Sequence, residues 1–161
     1  SLYENLANLG QTALVSTLTI MAEPDYQASN HNTAQDNELA TYAKKLDKAE
    51  AELNWQLSAD ELHRKIRAYI PWPVSQFTFT GSEGKQHRLR VWQASVQEYQ
   101  GSADPGTIIK TDKEGIEVAT TNGSLRLEVI QLPGKKALAV KDILNGRSDW
   151  FVVGSPINKL G

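Results

Sequence analysis

One long segment, HRLRVWQASVQEY, limits the possible folds more than any other part of the chain. Its apolar side chains stand first at Leu89 and Val91 and then change phase to Trp92, Ala94 and Val96. Because successive side chains of a strand point to opposite faces, this one-position slip predicts a β-bulge or strong coiling. A long strand that bends in this way is typical of a small barrel.

Further segments with strand character surround this one. The dipeptide Asn122-Gly123 joins the last two, and it tolerates the positive φ of a tight hairpin turn. The sequence therefore predicts a mainly β fold with flanking helices, whose antiparallel strands form a closed or nearly closed small barrel. The predicted strands are Phe77 to Thr80, Arg88 to Tyr99, Thr107 to Thr111, Ile116 to Thr120 and Leu125 to Leu132.

Two helices flank the predicted strands. Ser58-Ala-Asp-Glu61 has the pattern of a capping box, and Pro71 ends the helix that follows it. The Pro-Trp-Pro sequence (71–73) then makes a rigid corner that leads into the first strand. A shorter helix is expected near the end of the chain, before a segment that packs on the core; its residues are Val140, Ile143 and Leu144, with Gly146 at its end and Trp150 to Val153 behind it.

Charge is distributed unevenly and indicates two modules. Residues 1–40 contain no Lys or Arg, so residues 41–161 carry all 17 cations against 14 of the 19 acids. Residues 1–24 predict two short helices that Gly10 separates, and they have the character of the cut end of a larger domain rather than of a native hairpin. Residues 25–40 are polar and aperiodic, as in a linker. Residues 41–161 are expected to form the second domain.

No pattern in the sequence indicates catalysis, a metal or a cofactor. The chain has no cysteine, and His31, His63 and His87 lack metal-ligand spacing. The Gly-rich stretch 81–85 has the wrong spacing for a phosphate loop and reads as a hairpin turn. No segment is long and apolar enough for a membrane span, so we expect a soluble cytoplasmic protein and a monomer.

Exposed cations are the remaining candidates for function. Two helical cations have acids four residues before them, Asp60 for Arg64 and Glu61 for Lys65, and are expected to pair with these acids. Scattered cations without such partners would give salt-sensitive, sequence-independent contacts to nucleic-acid phosphates. The candidates are Lys44, Lys45, Lys48, Arg67, Arg88, Arg90, Lys135 and Lys136, whereas Trp72 and Trp92 are expected in the core rather than as stacking platforms.

Several motifs resemble the bacterial methionyl-tRNA formyltransferases. They are ATYAKKLDKAEAELNW (40–55), RAYIPWP (67–73), PGTI (105–108), the GKKAL loop and the DWFVVG ending. The resemblance covers essentially the whole chain in the right order. An aminoarabinose formyltransferase and formyltetrahydrofolate dehydrogenase share the fold, but the first block, with an uninterrupted Pro-Trp-Pro, is more similar to the methionyl-tRNA branch.

This resemblance implies a parent enzyme of protein biosynthesis that transfers a formyl group from 10-formyltetrahydrofolate to methionine on initiator tRNA in translation initiation. The catalytic and folate-binding motifs of that family lie in a Rossmann-like N-terminal domain and do not occur here, so residues 1–24 resemble a remnant of that domain. Residues 41–161 resemble the OB-like C-terminal domain that faces tRNA, and the eight candidate cations are expected on that side. Arg88 and Arg90 follow a hairpin, Gly81 to Gln86, that is longer than in the family.

Two alternatives remain open at this stage. The C-terminal domain could act chiefly as a structural clamp that orients the catalytic half and makes little contact with RNA. The parent enzyme could also be a formyltransferase that acts on a sugar nucleotide.

Overall fold

The structure, a computed structural model, describes residues 2–28, 33–147 and 149–157. It separates into two compact units, one up to residue 43 and one from residue 44. In the first unit, helix α1 spans Leu2–Met21 without interruption, and none of its residues is buried. The prediction of two helices is therefore wrong, since a glycine weakens a helix by only about 1 kcal/mol and need not break it. The histidine at position 31 lies outside the described residues.

The second unit is built on an antiparallel sheet whose strands run in the order β1-β2-β5-β4-β3. The short strand β6 pairs with the last three residues of β5, on the edge where β4 pairs with its first residues. No pairing among the described strands joins β1 to β3, and the sheet curls into a half-barrel. The prediction of a mainly β, antiparallel fold with flanking helices is confirmed. The strands are β1 Gln76–Thr80, β2 Gln86–Gln97, β3 Ile108–Asp112, β4 Gly115–Ala119, β5 Ser124–Gln131 and β6 Ala137–Ala139.

The predicted irregularity in the long strand is confirmed. Along the β2–β5 pairing, Val91 lies opposite Ile130 and Gln93 lies opposite Val129, which leaves Trp92 without a partner. A bulge of this kind adds one residue to one strand and changes the direction of the side chains around it. The buried positions of the strand accordingly change phase, from Leu89 and Val91 before the bulge to Ala94 after it.

Helix α2, Ala59–Ala68, begins with the predicted capping box. Ser58 N donates a hydrogen bond to Glu61 Oε2 at 2.9 Å, and Glu61 N donates to Ser58 Oγ at 3.3 Å. The helix packs on β2 and β5 through Ala59, Leu62 and Ile66, which are all buried. The apolar period of the sequence thus sets which face of the helix joins the core.

The corner after α2 holds a tightly closed loop. Val74 N donates a hydrogen bond to Tyr69 O at 2.9 Å, and the Ile70-Pro71 and Trp72-Pro73 peptide bonds are both cis. Val74 is buried and has φ of +63°, in the left-handed region that β-branched residues rarely adopt. The hydrogen bond and the burial of Val74 thus join the corner to the end of α2 and to the core.

The last helix, α3, spans Val140–Arg147 and continues through the glycine at which it was expected to end. Beyond it, Trp150 and Phe151 are buried in the core, whereas Val152 and Val153 are exposed. The ring of Phe79 lies 4.8 Å from that of Phe151, between centroids. The prediction that this segment packs back on the core is confirmed for its aromatic residues.

Candidate functional site

A groove of about 480 Å³ crosses the face of the second unit where β1 and β2 meet the Pro-Trp-Pro corner. We call it the basic groove, because three cations line it and no acid does among its described lining residues. It brings together parts of the chain that are distant in sequence. The lining residues are Lys48, Ala51, Pro71, Trp72, Pro73, Val74, Gln76, Arg88, Arg90, Trp92, Gln131, Leu132, Pro133 and Gly134.

Two separate elements, strand β2 and a short 3₁₀ turn, carry the three groove cations. Arg88 and Arg90 stand two residues apart on β2, opposite Thr78 and Gln76 of β1, so they lie on the same face of the sheet. Lys48 begins a short 3₁₀ turn, Lys48–Ala51, that Asp47 caps by accepting a hydrogen bond from Ala49 N. Three of the eight predicted contact residues therefore share one groove.

The two lysines of the Gly-Lys-Lys sequence border the groove in the turn between β5 and β6. Lys135 N donates to Leu132 O at 3.1 Å, and Gly134 has φ of +68°. Gln131 fixes this turn, since its Nε2 donates to Lys135 O at 2.8 Å. The same amide accepts a hydrogen bond of 3.0 Å from Trp92 Nε1 through its Oε1. The β2 bulge and the Lys135–Lys136 turn are thereby connected.

The remaining predicted cations lie outside the groove lining. Lys44 and Lys45 are exposed in the extended segment that precedes the 3₁₀ turn, and Arg67 is exposed in the last turn of α2. Like the groove cations, they are exposed to solvent. No salt bridge joins any of the eight predicted residues to an acid within the parts of the chain that the structure describes.

Two other cations of the second unit, Arg126 and Lys110, are paired with acids. Arg126 contacts Glu114 and Glu117 at 3.1 Å each, and Lys110 contacts Asp112 at 2.9 Å. The hydrogen bond with Asp112 raises the pKa of Lys110, and the hydrogen bond with Lys110 lowers the pKa of Asp112. Both pairs belong to β3, β4 and β5, away from the groove lining. The acids of these pairs therefore do not neutralise the groove cations.

The expected helical ion pairs are not formed. Within residues 59–68, no salt bridge joins Arg64 to Asp60 or Lys65 to Glu61. Glu61 is instead committed to the capping box, where hydrogen bonds from Ser58 lower its pKa. Lys65 Nζ donates to Glu52 O at 2.8 Å, and burial lowers the pKa of this lysine. The Lys65 side chain thus connects α2 to the segment that follows the 3₁₀ turn.

The expectation that Trp72 and Trp92 belong to the core is wrong. Trp72 is 50% exposed, Trp92 is half-buried, and both line the basic groove. Tryptophan is usually buried, but here the corner and the bulge present the two rings at the surface. For Trp92, the sequence signal that could have indicated exposure is its position, because it stands where the apolar residues of the strand change phase.

Histidines and acids form no reactive constellation in the described chain. His87 Nε2 lies 2.6 Å from Glu83 Oε1, and the ring stacks on Trp150 with centroids 4.5 Å apart. Among described residues, no group of three or more metal-ligating side chains is arranged to hold an ion. The Gly-rich stretch is a hairpin turn, as predicted, with Gly81 N donating to Lys85 O. No helix in the described ranges has the length and hydropathy to cross a membrane.

Comparison with known proteins identifies relatives of this chain. Residues 45–148 match the family described as formyl transferase, C-terminal domain. The whole chain is 91% identical to the methionyl-tRNA formyltransferase of Colwellia psychrerythraea (strain 34H / ATCC BAA-681), and it spans 49% of that relative's length. The chain therefore corresponds to about half of this curated relative, and the resemblance seen in its motifs is confirmed.

Solved structures share the fold at low sequence identity. HypX from Aquifex aeolicus, crystallised in complex with tetrahydrofolic acid, superimposes with a TM-score of 0.58 over 81% of this chain and 22% of HypX, at 15% identity. A double variant of HypX aligns over 92% of this chain and 25% of HypX, with a TM-score of 0.56 and 16% identity. From the family match and the sequence identity, we conclude that the chain belongs to the formyltransferase C-terminal domain family.

Proposed function

We propose that this chain is the C-terminal portion of a methionyl-tRNA formyltransferase and that its basic groove binds the phosphate backbone of initiator methionyl-tRNA. The identity of 91% to such an enzyme supports the assignment of the parent protein. The convergence of three exposed cations in one groove, with no acid among its described lining residues, supports the role of the groove, and this single observation carries the proposal.

A cation can contact the phosphate of an RNA when it is exposed and is not paired with an acid. Lys48, Arg88 and Arg90 are exposed, lie in one groove without an acid, and border a turn that adds Lys135 and Lys136. Cations in such an arrangement displace the counterions that surround RNA phosphates, so binding weakens as salt rises. Phosphate contacts of this kind position a nucleic acid without reading its sequence. A domain that only clamps the catalytic half would have no need of this arrangement.

The chemistry of formyl transfer belongs, in this proposal, to the catalytic half of the enzyme. That half would bind 10-formyltetrahydrofolate and hold the catalytic residues, and residues 1–24 would complete its fold. The chain would act in the cytoplasm as a monomer, within the parent enzyme. Formyl transfer by residues 1–161 alone, assayed with methionyl-tRNA and the folate donor, is expected to be undetectable, and measurable turnover would contradict this division of labour.

The test of the groove is a titration of the chain with initiator tRNA at increasing salt. We expect binding at low salt that weakens steeply as salt rises. Arg88→Glu with Arg90→Glu should weaken binding at least tenfold, because two attractive contacts become repulsive. The matched control is Lys113→Glu, which reverses an exposed cation outside the groove and should leave affinity nearly unchanged. Absent binding, or affinity that ignores salt, would favour the structural clamp, and an equal fall in the control would contradict the groove as the binding site.

A further inference from the structure

Trp72 is exposed to an unusual degree for its size and environment. Half of its surface is accessible, and it stands in a groove whose other walls carry Lys48, Arg88 and Arg90. Charge attraction alone does not require an aromatic ring at this place. An exposed aromatic residue among cations is, however, the combination that single-stranded nucleic-acid sites use, since the ring stacks on a base while the cations meet the backbone.

The corner holds Trp72 in position before any ligand binds. The next two residues, Pro73 and Val74, are buried, and the hydrogen bond from Val74 N to Tyr69 O closes the loop around the tryptophan. The left-handed conformation of Val74 is one that packing must maintain, and such conformations cluster at binding sites. A tryptophan whose backbone is held in this way loses less conformational entropy when a planar ligand stacks on its ring.

The hydrogen-bonding groups of the groove differ in their availability. Both ends of the Gln131 amide are occupied, one by Trp92 Nε1 and one by Lys135 O. Gln76 also lines the groove, and its side-chain amide makes no hydrogen bond to any described residue. An amide can donate to and accept from the edge of a nucleic-acid base. Gln76 is therefore the polar side chain best placed to contact one.

From these groups we propose that the basic groove is a subsite for an unpaired nucleotide, with its base stacked on Trp72, its edge at Gln76 and its phosphates at Arg88 and Arg90. The inference rests on the proposed function, since it assumes that the groove faces RNA. A volume of about 480 Å³ is sufficient for a single nucleotide. A base within an A-form duplex is stacked on its neighbours and cannot offer its face to the ring, so the groove selects an unpaired region of the RNA.

The test measures the affinity of two RNAs for the full chain and for two of its variants. An unstructured octanucleotide of uridines and a blunt eight-base-pair RNA duplex are titrated against the wild type, Trp72→Leu and Trp72→Phe. We expect Trp72→Leu to lower affinity for the single strand roughly 5- to 100-fold, the range for loss of one stacked base, and to change duplex affinity less than twofold. Trp72→Phe should recover most of the loss, because phenylalanine still stacks.

Salt dependence separates this inference from the proposed function. Since Trp72 contacts no phosphate in this proposal, its replacement should leave the slope of affinity against salt unchanged, whereas Arg88→Glu with Arg90→Glu should reduce it. Equal effects of Trp72→Leu on single-stranded and duplex RNA, or no effect on either, would overturn the nucleotide subsite while tRNA binding by the cations stood. Salt-independent or absent tRNA binding by the wild type would overturn the proposed function itself.

Discussion

At the scale of single residues, Gln131 determines how the groove and the adjacent lysine turn are joined. Its side chain accepts from Trp92 Nε1 and donates to Lys135 O, so one amide bridges the β2 bulge and the β5–β6 turn. If the amide were removed, the exposed Lys135 O could bond to water, whereas the partly buried Trp92 Nε1 would lose its partner. A buried donor left unsatisfied destabilises a protein by about 1 to 3 kcal/mol.

Gln131→Leu tests this bridge. We expect the free energy of unfolding, measured in urea, to fall by about 1 to 2 kcal/mol, and tRNA affinity to fall less than in Lys135→Glu with Lys136→Glu. The matched control is Gln93→Leu, which removes an exposed hydrogen bond to Glu128 across the same strand pair. A control that destabilises the chain as much as Gln131→Leu would show that the bridge has no special role.

The capping box of α2 gives a second prediction at this scale. Ser58→Ala should lower the free energy of unfolding by about 1 kcal/mol at pH 7, as for other lost N-caps. The Ser58 hydrogen bonds lower the folded-state pKa of Glu61, so its ionised form stabilises the fold above about pH 4.3, the usual glutamate value. This contribution is lost as pH falls through the lower folded-state pKa.

The effect of Ser58→Ala should accordingly be smaller near pH 3 than at pH 7. Denaturant midpoints of the wild type and the variant across this range measure the difference. Ser102→Ala, at an exposed loop position, serves as the control and should be neutral at both pH values. A difference independent of pH would mean that the Glu61 carboxylate takes no part in the cap.

At the scale of elements, the corner between α2 and β1 contains both an unusual backbone conformation, at Val74, and part of the lining of the basic groove. Val74 combines deep burial, with 3% of its surface exposed, and a φ of +63°. A non-glycine residue in this region is destabilised by about 1 to 3 kcal/mol, whereas glycine adopts it freely. Packing of the valine side chain against the core must therefore offset the unfavourable backbone conformation.

A pair of substitutions separates these two contributions. Val74→Ala removes the two buried γ-methyl groups and keeps the unfavourable backbone, while Val74→Gly also removes the β-carbon but relieves the backbone. We expect the glycine variant to be the more stable of the two by about 1 kcal/mol in urea unfolding, the reverse of the usual order. An alanine variant of equal or greater stability would contradict the conformational argument.

Elements with a strong local pattern were predictable from the sequence. The five predicted strands, the capping box and the bulge depend on alternation, cap chemistry and a phase slip, which neighbouring residues specify. Strand β6, Ala137–Ala139, was missed because it is short, has no β-branched residue, and exists only through pairing with β5. The partner of Lys65 was missed for a similar reason, since Glu52 contributes a backbone carbonyl that no side-chain pattern reveals.

The site was predictable only as a set of residue types. The unpaired state of Arg88 and Arg90 agrees with the absence of acids in the strand around them, but their convergence with Lys48 depends on the sheet and the 3₁₀ turn. The exposure of Trp72 and Trp92 could not be inferred from hydrophobicity, which favours burial. The positions of these rings depend on the corner and the bulge, and the fold brings them together with three cations that are distant in sequence.

At the scale of the whole molecule, core and groove belong to the same compact unit. Every buried apolar residue among those described lies at or beyond position 51, and the first lining residue of the groove is Lys48. Helix α1 has no buried residue, and large apolar side chains such as Leu6 and Leu9 are exposed on it. Stability of the second unit should therefore depend on its own packing.

A chain of residues 44–161 tests this independence. We expect its free energy of unfolding to lie within about 0.5 kcal/mol of that of the full chain, because deletion removes no core residue. Its affinity for initiator tRNA should also be unchanged, since all eight predicted cations are retained. Urea unfolding and the salt titration measure both quantities, with the Arg88→Glu and Arg90→Glu changes repeated in the shorter chain. Tenfold weaker tRNA binding by a shorter chain of unchanged stability would assign part of the RNA surface to residues 1–43.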